Sequence, residues 1–293
     1  MSDLITDAAL FETLKQFSFV PGRHVSSSGG NMKKRTRGTG GEFSDYRNYG
    51  IGDEIKYIDW NIYARSNKLF SKVFHDEGNV DVHLLLDVSK SMDFGNDNKL
   101  RYAKNIIMML AYVGITNNHN VQFSAFADKS FMTMSLGHKI NIFGNFLEEL
   151  EDIHPQGETK LNQSIMNYLH EQKPSGLLFV VSDFLDEEGY EQGLTHLAHS
   201  PLHACCVQVL CEEENDPKPG FTDHLQDIES NRLIDFNLTS AICQKYIKAF
   251  KQHIEQFKIL CLLQNILYLN LNTAFPIDQF IVNLVQQGIC KRK

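Results

Sequence analysis

From Val80 onward the chain alternates between two hydrophobic periods. Val82 to Val88 is a nearly continuous apolar run that ends in Asp87-Val88-Ser89, the pattern of a parallel strand buried on both faces. Leu100 to Ile115 repeats its apolar residues at helical spacing (Leu100, Ala103, Ile107, Leu110, Ala111, Gly114), and Asn120 to Phe126 alternates as a strand does. Helices are predicted over Ile140 to Glu151, Leu161 to His170 and Tyr190 to His199. Leu177 to Ser182 and His203 to Leu210 read as strands. A hairpin insertion follows, from His224 to Ile228 and from Arg232 to Phe236, turning at Glu229-Ser230-Asn231. A long helix from about Ser240 to Gln264, a strand from Ile266 to Leu271 and a helix from Pro276 to Gln287 complete the pattern. Strands alternating with helices predict a mostly parallel α/β sheet with helices on both faces.

The first 79 residues are patterned differently. Leu4, Ala8, Phe11 and Leu14 mark a short amphipathic helix from Leu4 to Phe17. A Ser/Gly-rich loop from Ser26 to Gly41 contains the basic cluster Lys33, Lys34, Arg35 and Arg37, which reads as a solvated arm because no aromatic residue interleaves with the charges. Phe43 to Phe74 then brings Phe43, Tyr46, Tyr49, Tyr57, Trp60, Tyr63, Phe70 and Phe74, punctuated by Gly50 and Gly52. This predicts an aromatic-rich β extension of short strands and turns that packs on the larger body, with Asp53, Asp59 and Arg65 read first as salt-bridge partners holding it there and second as a partner surface. The expected division is therefore 1–79 for helix, loop and extension, and 80–293 for the main domain.

Composition narrows the function. Of 293 residues, 42% are hydrophobic and 22% charged, enough for a full core without covalent staples. Residues 1–79 carry 11 Lys+Arg against 10 Asp+Glu, whereas residues 80–293 carry 17 against 26, so the net charge of −8 belongs to the main body. An acidic body argues against bulk nucleic-acid binding. The six cysteines, Cys205, Cys206, Cys211, Cys243, Cys261 and Cys290, form no C-x-x-C pair and read as buried free thiols. No basic start with a long apolar run opens the chain. The longest apolar stretch, near Asn105 to Ile115, is about half of the ~20 residues a membrane span needs. A cytoplasmic protein without a membrane span is expected.

The chemistry concentrates in Asp87-Val88-Ser89-Lys90-Ser91, just after an apolar strand, where open α/β sheets bind ligands. Alternation along the turn lets Asp87, Ser89 and Ser91 project toward one point. One carboxylate and two hydroxyls suit a hard cation, Mg²⁺ first, with Mn²⁺ or Ca²⁺ as substitutes. Thr159, in a loop before a helix, and Asp183, at a strand end, are predicted on the same edge of the sheet. Alone, Thr159 reads as a helix N-cap and Asp183 as a turn residue. Behind the D-x-S-x-S loop, in this chain order, they complete a five-residue metal site. Weaker candidates are Gly38-Thr-Gly-Gly, which lacks the strand and Gly-Lys-Ser/Thr of a phosphate loop, and a zinc site from His196, His199 and His203.

D-x-S-x-S, a later loop Thr and a later strand-end Asp resemble the metal-ion-dependent adhesion site of von Willebrand factor A domains. The upstream residues Gly38-Thr-Gly-Gly-Glu42-Phe43-Ser-Asp-Tyr-Arg47-Asn-Tyr49, Gly52-Asp53, Ile58-Asp59-Trp60 and Ala64-Arg65, and the downstream Ser91-Met92-Asp93-Phe94-Gly95 with Lys99-Leu100, resemble the bacterial domain-of-unknown-function family fifty-eight. That family often carries an acidic run before the first strand, of which only Asp76-Glu77 remains here. The resemblance implies a von Willebrand A-like (Rossmann-like) domain with an N-terminal extension, and association with a MoxR-type AAA+ ATPase in assembling or activating other proteins. The resulting expectation is a metal-dependent protein-binding module with no enzymatic activity, its partner being that ATPase, its client or both. The competing class is a metal-dependent hydrolase or phosphatase. It would need a base or nucleophile beside the ion, but Ser89 and Ser91 serve as ligands and the loop has no D-x-D.

Overall fold

The computed structural model describes residues 4–20, 42–50, 58–66, 68–75, 80–127, 131–186, 188–218, 224–226, 233–235 and 239–293. The basic cluster at 33–37, the Gly38 loop, Asp53 and the hairpin turn at 229–231 lie outside them. The chain divides into two compact units, residues 1–22 with 80–293 and residues 23–79. Composition drew one boundary, at 79/80. The structure draws two, because the first helix and strand belong with the larger unit.

Helix α1 (Ala8–Leu14) starts at Asp7, whose side chain accepts from the Ala9 amide. It buries Leu14 and leads into β1 (Phe17–Phe19). The smaller unit holds β2 (Glu42–Asn48), α2 (Trp60–Ser66) and β3 (Phe70–His75), with β2 and β3 antiparallel. The helix α2 was not expected among strands and turns. Asp59 explains it: this buried carboxylate accepts from the amides of Asn61 and Ile62 and from the Tyr46 hydroxyl at 3.0 Å. Asp59 thus caps a helix of its own unit.

The larger unit continues with β4 (Asp81–Asp87), a single turn at Lys90–Met92, α3 (Lys99–Thr116), β5 (Asn120–Phe126) and β6 (Phe131–Gly137). After α4 (Phe143–Glu151) come α5 (Leu161–Gln172), β7 (Gly176–Ser182), α6 (Glu191–Ala198) and β8 (Leu202–Leu210). Then follow a four-residue helix α7 (Glu212–Asn215), the short pair β9 (His224–Gln226) and β10 (Leu233–Asp235), α8 (Ser240–Leu263), β11 (Leu267–Asn272), α9 (Gln279–Gln286) and β12 (Cys290–Arg292). Six strands form one sheet in the order β11-β8-β7-β4-β5-β6, all parallel neighbours except the antiparallel edge pair β5–β6. This is the mostly parallel sheet expected from the sequence. Its antiparallel edge β6 was not foreseen, because Met132 and Met134 between Thr133 and Ser135 give little strand signature.

Side chains alternate across this sheet into two cores. Val82, Leu84 and Leu86 of β4 join Phe123, Phe179 and Val207 under α3, α4 and α9. Leu85 of the same strand joins Leu178, Val180 and Cys206 under α5, α6 and α8, through Ile165, Leu194 and Phe257. Helix α3 is buried nearly all round, and Gly114 lets it approach β5 closely: a Cβ there would stand 2.5 Å from Val121 Cγ2. Antiparallel β1 and β12 close the unit, Phe17 opposite Arg292 and Phe19 opposite Cys290. All six cysteines are buried and free. Among the described residues no helix is long and apolar enough to cross a membrane.

Candidate functional site

The sheet delivers its central strands to one edge. Asp87 is the last residue of β4 and Ser182 the last of β7, the strand beside it, and Asp183 follows directly. Two backbone bonds then tie the loop after β4 to the loop before α5: Gln156 N donates to Val88 O at 2.8 Å and Lys90 N to Gly157 O at 3.2 Å. This stitching brings Thr159 beside Ser91, 68 residues away.

The result is a chain of oxygens. Ser89 Oγ lies 3.0 Å from Ser91 Oγ, and Ser91 Oγ 3.4 Å from Thr159 Oγ1. Asp87 accepts from the Ser89 amide at 2.9 Å through Oδ1 and from the Ser182 hydroxyl at 2.6 Å through Oδ2. Asp87 and Ser89 are fully buried, and Thr159 is nearly so. Burial pushes the Asp87 carboxyl up to about 7, helped by the charge of Asp183 and opposed by the bonds from Ser182 and Ser89.

Thr159 is not the cap of α5. The N-cap position is Lys160, and the first helical amide, Leu161 N, donates instead to Asp186 Oδ2 at 2.7 Å. The Thr159 hydroxyl faces Ser91, so the helix-cap alternative does not account for it.

Asp183 is placed differently from the other four. It is fully buried at the same edge. Its Oδ1 accepts from the Leu185 amide at 3.1 Å, the turn role that a strand-end Asp plays. Its Oδ2 accepts from Lys99 Nζ at 2.8 Å. Lys99 also donates to Glu214 Oε1 at 2.6 Å and is 1% exposed. Burial would lower the Lys99 pKa, but the charges and hydrogen bonds of Asp183 and Glu214 more than offset this and hold it above the ordinary lysine value. In the sequence Lys99 stands out only through the Lys99-Leu100 pair of the family motif and as a lysine at the start of a helix, the end that disfavours a cation.

The donor set can be weighed against the divalent cation that the sequence motif implies. Every side-chain donor is a hydroxyl or carboxylate oxygen, as hard cations require. Octahedral Mg²⁺ with bonds of about 2.1 Å spaces adjacent ligand oxygens roughly 3.0 Å apart, and the Ser89–Ser91 separation is 3.0 Å. The residues fit the ion, with Ser89, Ser91 and Thr159 presenting oxygens and Asp87 behind them. The zinc alternative fares otherwise. His196 and His199 each place Nδ1 on a carbonyl oxygen of their own helical turn, at 2.8 and 2.7 Å. Among the described residues no group of three or more His, Cys, Asp or Glu is placed to share a metal.

The family described as "Protein of unknown function DUF58" matches residues 45–256, well over half of the chain. The chain belongs to this family. A search of curated proteins finds no match. Among solved structures, the fold is similar to the conserved hypothetical protein BatB from Bacteroides thetaiotaomicron (19% identity, 71% of this chain and 98% of that one, TM-score 0.43). It is also similar to an aerotolerance-related membrane protein from Bacteroides fragilis (17% identity, 71% and 98%, TM-score 0.45). A von Willebrand factor type A protein from Catenulispora acidiphila is a third (16% identity, 48% and 35%, TM-score 0.37). Family membership rests on the sequence match, and the site on the geometry above.

Proposed function

We propose that this protein is a metal-dependent protein-binding module. Mg²⁺ would be held at the carboxyl edge of the sheet by Ser89, Ser91 and Thr159, with Asp87 supplying the charge. The observation that carries this reading is the run of three hydroxyl oxygens at 3.0 and 3.4 Å, built from two distant segments over a fully buried carboxylate. When bound, the cation supplies a Lewis-acidic position that can accept a carboxylate from a partner. The chain's own residues orient the oxygens and exclude water beneath them.

Binding is favoured over catalysis because the hydroxyls that would serve as nucleophiles are those that face the ion. The partner we propose is a MoxR-type AAA+ ATPase or its client, as the family resemblance implies, engaged through an Asp or Glu that completes the metal shell. The test is calorimetry of the purified protein with that ATPase, with Mg²⁺ and with EDTA, repeated with Asp87→Ala. EDTA and the substitution should each weaken binding at least tenfold. Equal affinity in all three conditions would show that the metal is not the grip.

A further inference from the structure

Lys99 is a buried cation at this edge, and the fold must meet its cost. It is an ammonium with 1% exposure, and burying a charge is expensive unless it is fully paired. It stands at the first position of the 18-residue helix α3, where the helix dipole opposes a cation. Two carboxylates compensate it. Asp183 Oδ2 lies at 2.8 Å and Glu214 Oε1 at 2.6 Å. Both partners are themselves pinned. Asp183 Oδ1 accepts from Leu185 N, and the Asp183 carbonyl accepts from Gln208 Nε2 at 2.8 Å. Glu214 Oε2 accepts from the Cys211 amide and thiol at the start of α7. The neighbouring loop docks on the same short helix, where Asn96 N donates to Glu213 Oε1 at 3.0 Å and a Cβ on Gly95 would stand 2.8 Å from Cys211 Cβ.

Asp183 follows Ser182, whose hydroxyl is bonded to Asp87, and so stands at the same edge as the oxygen chain, yet it spends its Oδ2 on an internal ammonium. We propose that Lys99 is the internal counter-cation of the site: clamped between Asp183 and Glu214, it holds the Asp183 carboxylate out of direct coordination and so sets how tightly the site takes a divalent cation. This rests on the metal-site reading above. Glu214 is the lever. The more firmly it shares the ammonium, the less of Lys99 is left to Asp183, so movement of α7 changes the affinity at the sheet edge.

Charge alone is separated from placement by choice of variants. Lys99→Met removes one positive charge and leaves two buried carboxylates unpaired. Lys99→Met with Glu214→Gln removes one charge of each sign and leaves the net charge unchanged. The measurement is Mn²⁺ titration of the full chain by electron paramagnetic resonance, with urea unfolding alongside. The double variant should bind Mn²⁺ about tenfold more tightly than wild type, and adding Asp183→Asn should abolish the gain. Glu214→Gln alone, which leaves the ammonium to Asp183, should bind severalfold more weakly. A double variant that binds no more tightly than wild type overturns the role of Lys99 while leaving the metal site standing. Binding by the double variant but not by wild type supports the role of Lys99 and overturns the metal-dependent grip. Absence of binding in every variant overturns both.

Discussion

Ser182 Oγ donates to Asp87 Oδ2 at 2.6 Å, joining the last residues of two neighbouring parallel strands beneath the site. The same Ser182 hydroxyl accepts from the Phe184 amide at 3.0 Å, so it fixes the turn that carries Asp183 as well. Ser182→Ala should therefore destabilise the fold by about 1–3 kcal/mol, the cost of leaving a buried acceptor short of a donor. It should also weaken Mn²⁺ binding by about 10- to 100-fold, as loss of a group that orients a ligand does. Urea unfolding and Mn²⁺ titration of the same sample read the two effects. Unchanged metal affinity would separate Ser182 from the site.

Thr159 offers a cleaner contrast because its hydroxyl does not cap α5. Thr159→Ser keeps the oxygen 3.4 Å from Ser91 Oγ and should change Mn²⁺ affinity less than threefold. Thr159→Val keeps the shape and removes the oxygen, and should lower the affinity at least tenfold. Calorimetric titration ranks the two, and an equal loss in both would point to packing as the cause.

Asp87→Ala removes a buried carboxylate that Asp183 repels but orphans the Ser89 amide and the Ser182 hydroxyl, so in the metal-free protein the relief should offset part of the roughly 1–3 kcal/mol that such orphaned donors cost. Thermal unfolding in EDTA measures this. With Mg²⁺ added, wild type should gain stability and the variant should not, since only a bound ligand shifts the folding equilibrium.

Four residues before Asp87 on β4, His83 reports pH. Its Nδ1 lies 2.6 Å from the Tyr168 hydroxyl and its Nε2 3.1 Å from the Ser175 carbonyl, an arrangement suited to the neutral ring donating from Nε2 and accepting at Nδ1. Burial holds its pKa below the ordinary value of 6.5, against smaller raising effects of Ser175 and Asp81. The unfolded chain then takes up a proton that the folded chain refuses. This contribution is fully present above pH 6.5 and is lost as pH falls below it. Urea midpoints at pH 7.5 and 5.5 should differ more for wild type than for His83→Gln.

Gly114→Ala sets two effects against each other. Alanine in a helix is worth about 1 kcal/mol over glycine, but overpacking costs about 1–3 kcal/mol, and the new Cβ would meet Val121 Cγ2 at 2.5 Å. The net change should be destabilising, and Val121→Ala should recover part of it in the double variant. Denaturant midpoints of the four proteins close the cycle.

The strands β4, β7 and β8 were legible because parallel strands buried on both faces leave nearly continuous apolar runs such as Leu177 to Val181, and β5 because its apolar residues alternate. The oxygen cluster of Asp87, Ser89, Ser91 and Thr159 was legible because each lies at or just beyond a strand end or in the loop before a helix, and a parallel sheet sends such ends to one edge. What the sequence hid were pairings between distant segments. Nothing local to Lys99 points to Glu214, 115 residues on, and nothing in Phe17–Phe19 points to Cys290–Arg292. The helix α2 was hidden by aromatic composition that mimics strand, although Asp59 ahead of Trp60 is the capping signal that marks it.

The β1–β12 pairing carries a kinetic consequence. Gln16 and Arg292, bonded at 2.7 Å beside that ladder, are 276 residues apart, so this contact has among the longest loops to close. Contacts of such separation form late, after local helices and neighbouring strands have reduced the search. Until β12 arrives, β1 lacks the strand it pairs with, and the α1–β1 segment is held by what it packs against on α3, α4 and β7. Refolding should therefore end in a slow step that fastens the N-terminal segment. Hydrogen exchange pulsed during refolding would show the Phe17–Phe19 amides protected after those of β4 and β7.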